Sequence, residues 1–282
     1  MSRIPISLPA FALLSLFLLS ACEFRSRRAN WHLDPSVTYK VRYSAETRAT
    51  ADGAWGSAPY VSAAEAEFSA QSTADTSKGQ IEFSLTVDTL QYRSSERGSD
   101  EDQYMTGRLR KYKGKLTLSR TGQALSLEEE PGLPPVAFSP LNFGRMLAYA
   151  LPTFPEFAIK KGSRWEINQS LMDKFHPDSR VQKRFTLSAI RETPEGDLAQ
   201  CLVDMDAYLD EDLGNGDNSG KPSLSGSGKV VFNLTTGKPV SAELELEGHF
   251  LTRGSPSRPG DSTQTEAFPM QLREKLAVSF AN

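Results

Sequence analysis

The chain has 282 residues, 38% hydrophobic and 24% charged, a balance that belongs to globular proteins and excludes a disordered or collagenous polymer. With 32 basic against 35 acidic residues the net charge is −3, which leaves no electrostatic footprint for nucleic acid as a partner. Two cysteines, Cys22 and Cys201, and three scattered histidines, His32, His176 and His249, give no framework of disulfides and no metal-ligand spacing.

The first segment carries Arg3 as its only charge, then an apolar run from Leu8 to Leu19. That run is too short to cross a bilayer as a mature helix and is followed by small residues, so residues 1–21 are predicted to be an export signal. Leu19-Ser20-Ala21-Cys22 resembles the lipobox of bacterial lipoproteins. The resemblance implies cleavage before Cys22, a covalent lipid on its thiol, and a membrane partner reached through that anchor. Glu23 rather than Asp follows the cysteine. In lipoproteins this implies a periplasm-facing outer-membrane location, or the cell membrane in an organism with a single one. Removing Arg3 with the signal leaves 31 basic and 35 acidic residues, a mature net charge of −4.

Residues 22–34 are expected to be a lipidated tether, with Arg25, Arg27 and Arg28 near anionic headgroups at roughly 1 kcal/mol each. Residues 35–282 are then one antiparallel β domain. Val37, Tyr39, Val41 and Tyr43 alternate with polar residues, as do Ala64, Ala66 and Phe68, and Ile81, Phe83, Leu85 and Val87. This period of two marks strands with one buried face. Further strands are expected at 115–118, 123–127, 163–167, 181–190, 198–209 and 271–280, and a hairpin turns at Thr235-Thr236-Gly237-Lys238. Cys201 shares a strand face with Val203, Met205 and Ala207 and is expected to be an inert core thiol.

One segment breaks the pattern. Ser139 as N-cap, Pro140 at the first helical position and Pro152 past the end predict an apolar helix over about 140–151. It divides the strands into groups at 35–132 and 156–282. A helix apolar on most sides must be covered. The expected fold is therefore mainly β: a large curved antiparallel sheet or incomplete barrel of about ten strands, with this helix packed on or in it. In architecture this resembles the half-barrel envelope carriers of the LolA, LolB and LppX type. With its lipobox and the Gly162-Ser163-Arg164-Trp165 turn, the chain also resembles bacterial lipoproteins of unassigned activity.

Motifs for catalysis are missing. Ser223-Leu224-Ser225-Gly226-Ser227-Gly228 departs from the nucleophile elbow of serine hydrolases and is expected to lead into a hairpin. Asp210, Asp212 and Asp217 in a Gly-rich loop are the calcium candidates, though their spacing departs from an EF-hand. Ser99-Asp100-Glu101-Asp102 is expected to be a charged loop, and His249 continues the outer face of Glu243, Glu245 and Glu247. No cofactor is implied beyond the lipid on Cys22, and no enzyme is expected. The expected function is an anchored envelope lipoprotein that binds an apolar ligand or another envelope protein, with Leu141, Met146, Leu147 and Leu151 facing the ligand. The alternatives are an envelope hydrolase built from dispersed acids and a purely structural interaction module.

Overall fold

The computed structural model describes residues 26–51, 60–75, 79–95, 99–130, 140–170, 180–208, 224–253 and 267–281. Its strands are β1 (Thr38–Ala51), β2 (Tyr60–Asp75), β3 (Gln80–Ser94), β4 (Lys113–Ser119), β5 (Ala124–Glu130), β6 (Arg164–Ser170), β7 (Arg180–Thr193), β8 (Gly196–Tyr208), β9 (Leu224–Asn233), β10 (Lys238–Arg253) and β11 (Ala267–Ala281). Two helices are described, α1 (Ser99–Leu109) and α2 (Phe143–Ala150).

All eleven strands form one sheet in the order β5-β4-β3-β2-β1-β11-β10-β9-β8-β7-β6. The chain meanders outward from β1 to the β5 edge, crosses to the β6 edge, and meanders back until β11 lies antiparallel beside β1. The two strand groups expected from the sequence are thus halves of one sheet, joined at the β1–β11 seam. Every neighbouring pair is antiparallel, and four pairs, β2–β3, β4–β5, β7–β8 and β9–β10, are joined by connections of two to four residues, which suits the alternating sequences. Inner-face residues are buried along every long strand, among them Val41, Phe68, Leu85, Leu116, Phe185, Cys201 and Val230.

The crossing contains α2, all eight residues of which are buried. It is shorter than expected. Pro140 and Leu141 form a turn, Asn142 is the N-cap without a side-chain cap hydrogen bond, and Ser139 lies outside the described residues. Burial compensates for the weak start. Phe143 meets the rings of Tyr43, Phe68 and Tyr112 edge-on at centroid distances of 5.3, 5.2 and 5.3 Å. The Tyr43 hydroxyl donates to Pro140 O at 2.9 Å and fixes the approach to the helix.

Two expectations are corrected. The acidic run from Ser99 is the first turn of α1, where carboxylates favour the positive helix end, and Asp102 Oδ2 accepts from Ser94 N at 3.1 Å. α1 lacks an apolar stripe, so periodicity gave no sign of it. The described part of the expected tether, in turn, is built into the body. Arg27 and Ile159 exchange two backbone hydrogen bonds of 2.7 Å, Trp31 N donates to Arg120 O, and His32 N donates to Gly237 O. Arg27 does not reach out to headgroups, since its guanidinium pairs with Asp197 at 2.8 Å. Ala29, Trp31 and Leu33 are buried, because three apolar side chains in nine residues have a core to enter.

Candidate functional site

Trp31 closes one end of the curved sheet. Its Nε1 donates to Pro152 O at 3.1 Å, and Trp165 Nε1 donates to Thr153 O at 2.7 Å, so two indoles hold the chain leaving α2. Phe154 packs on Phe232 at 4.7 Å, Trp31 on Phe232 at 5.5 Å, and Trp165 stacks on Phe185 at 5.3 Å. Gly122, at φ +88°, lies directly against Trp31 and Pro152 O, where a side chain has no room. This end is a plug of aromatic rings.

Toward the other end the inner face changes character. Register pairs Ser62 of β2 with Thr47 of β1, Thr47 with Glu274 of β11, and Glu274 with Leu246 of β10. Continued across β9 and β8, the same row runs through Gly226 and Met205 to Lys183 of β7. The row is polar at both ends, Ser62, Thr47 and Glu274 on one side and Lys183 on the other, with Leu246, Gly226 and Met205 between them.

Both charges are fully buried. Glu274 Oε1 and Oε2 have no hydrogen-bond partner. Burial pushes its carboxyl up to about 8, and Thr47 opposes the shift from close by, although no well-formed hydrogen bond joins the two. Tyr43 shares this environment, its phenol held well above the ordinary value by burial and secondarily by the Glu274 charge. Lys183 is placed differently. Its Nζ donates to Ala148 O at 3.0 Å and Leu151 O at 3.3 Å, closing carbonyls that the end of α2 leaves open. Burial lowers its amine to about 7. Gln169, at the end of β6, is a further buried polar side chain, with neither amide atom partnered.

Sequence reasoning missed these residues, yet the signal was present. Leu272, Leu276, Val278 and Phe280 share one face of the strand expected at 271–280, and Glu274 has the same parity. Lys183 likewise sits between Val181 and Phe185 on the buried face of β7. A charge in phase with an apolar run is a buried charge if the strand exists at all.

The expected ligand-facing residues Leu141, Met146, Leu147 and Leu151 are 7%, 1%, 0% and 1% exposed and belong to the core around α2. Met146 and Leu147 do not line either of two open cavities, of about 540 and 590 Å³, that lie against the outer face. Charged side chains such as Arg42, Glu65, Glu243, Lys229 and Lys275 line them together with apolar ones such as Ala66 and Ala277. The outer acids are ion-paired: Arg273 bridges Glu245 and Glu247, and Lys275 approaches Glu245 at 3.8 Å. The side chain of His249, Cys22, and the calcium candidates Asp210, Asp212 and Asp217 lie outside the described residues. Among the described residues no group of three or more His, Cys, Asp or Glu could hold a metal ion. Cys201 is buried and its thiol is pushed up to about 12, so it is unreactive.

No family model and no curated protein matches the sequence. Among solved structures, a lipovitellin structure concerned with lipid–protein interactions aligns at a TM-score of 0.46 and 10% identity, over 89% of this chain. The chain spans only 26% of that protein's length. A DUF1329 family protein from Desulfovibrio piger aligns over 97% of this chain and 92% of its own, at a TM-score of 0.23 and 9% identity. At these scores neither likeness carries an argument about function, which rests on the chain's own residues.

Proposed function

We propose that the protein is an envelope lipoprotein, held on the periplasmic side of an outer membrane by a lipid on Cys22, whose sheet binds an amphipathic ligand with an apolar body. The single observation that carries the binding part is Glu274. A carboxyl with both oxygens unpartnered costs about 1–3 kcal/mol per orphaned group, and a protein that held nothing there would gain by replacing it with leucine. Thr47 beside it, and Gln169 farther along the sheet, add unpartnered polar atoms. A ligand whose polar end reaches Glu274 and Thr47 while its chain lies on the aliphatic inner surface would satisfy that deficit. The proposal contains no catalytic step.

A second reading is favoured by the close burial of Met146, Leu147 and Leu151: a dry core in a structural or protein-interaction module. Native mass spectrometry of the membrane-extracted protein separates the two. The binding reading expects a lipid mass at Cys22 and a retained small molecule that Glu274→Leu loses while remaining folded. A ligand-free wild type, together with a more stable Glu274→Leu protein, would establish the dry core.

A further inference from the structure

Only four residues separate Cys22 from Arg27, and Arg27 is already locked to the body by its paired backbone hydrogen bonds with Ile159 and by Asp197. Fully extended, the five Cα-to-Cα steps from Cys22 to Arg27 reach about 17 Å. If the lipid is on Cys22, the plugged end of the sheet is confined to a layer about that thick beside the membrane. The residues presented there are Arg28, Phe157, Lys160 and Lys161, all exposed, Phe157 at 55%. Glu156 is the acid within the same segment.

A large exposed aromatic ring flanked by basic side chains is the composition of an interfacial contact. The ring enters the headgroup boundary while the ammonium groups stay at phosphate level. Isolated, so small a patch would bind a bilayer weakly. Tethering changes this, because a short linker raises the effective concentration of the patch at the surface to millimolar levels or above.

We propose that the face carrying Arg28, Phe157, Lys160 and Lys161 docks on an anionic phospholipid surface, fixing the sheet with its plugged end toward the membrane and the Glu274 end away from it. This rests on the lipid at Cys22 and deepens that reading. The anchor then sets orientation as well as location. A ligand would be exchanged at the end facing the periplasm.

The test uses the full mature lipidated protein on vesicles of phosphatidylethanolamine and phosphatidylglycerol containing a headgroup-nitroxide lipid. A bimane label is placed by Ala158→Cys or, toward the opposite end, by Arg48→Cys. Neither other cysteine competes for label, since the lipid occupies the Cys22 sulfur and Cys201 is buried with its thiol pushed up to about 12. Quenching at position 158 is expected to exceed that at 48 by about threefold, and Lys160→Glu with Lys161→Glu or a shift to high salt should remove about half of it. Protein that floats with the vesicles but is quenched equally at both positions, or is indifferent to charge reversal and salt, overturns docking and leaves the anchor standing. Protein that does not float overturns the anchor and docking together.

Discussion

Replacing Glu274 by Gln keeps the shape of the side chain and removes its titration. In the folded chain the carboxyl titrates at about 8 against an ordinary 4.5, because burial penalises its charged form. Between those values the native state holds a proton that the unfolded state has released, so stability falls as pH rises. The stabilising proton is fully effective below 4.5 and lost by about 8. Each pH unit in the window costs about 1.4 kcal/mol, and the whole window about 5 kcal/mol, a large share of the stability of any domain. The assay is urea unfolding of a lipid-free Cys22→Ser chain at pH 5, 6, 7 and 8, followed by tryptophan fluorescence, to which Trp31 and Trp165, both buried in the plug, contribute. Subtracting the Glu274→Gln curve removes every other titrating group that the substitution leaves alone. The difference should tilt toward the variant by about 1 kcal/mol or more per unit. A difference flat from pH 5 to 8 would refute the reasoning, for it would mean that the carboxyl is solvated or paired.

Lys183→Met should act in the opposite sense. With the folded amine lowered to about 7 from an ordinary 10.5, the wild type gains stability as pH rises through that interval, and urea titrations of the Met variant should lack this gain while paying about 1–3 kcal/mol for orphaned carbonyls at Ala148 and Leu151. Gly122→Ala forces a side chain into a left-handed backbone conformation and onto Trp31 and Pro152 O, and should cost about 2–4 kcal/mol in thermal unfolding, with a red-shifted tryptophan spectrum if the plug is displaced.

The strands were legible because their apolar residues keep a period of two for seven or more positions, as in Val37 to Tyr43 and Val240 to Leu246. Strand order was not, since the β1–β11 seam joins residues more than two hundred positions apart and no local pattern encodes such a pairing. Trp31 was hidden by its neighbours. Arg27 and Arg28 made the segment look solvated, whereas one indole, one methyl and one isobutyl group suffice to seat it. Glu274 and Lys183 were overlooked for another reason: a search for chemistry that starts from motifs passes over single charges, although their parity within apolar strands marks them as buried.

The Ser-Gly-Ser-Gly stretch shows how a segment discarded as chemistry returns as geometry. Expected to be a polar lead-in, it is the first half of β9, with Gly226 and Gly228 on the inner-facing parity between Leu224 and Val230. A Cβ at either glycine would strike the backbone of β10, at Glu245 O or Glu243 O. The two strands therefore approach more closely there than side chains allow, and the inner row, which passes from Glu274 through Leu246 to Gly226, has no side chain at that point. On one side of the gap, Lys183 is committed to the end of α2. On the other, Glu274 is committed to nothing. The base is thus accounted for by the fold, and the acid is the group whose presence the fold alone does not explain.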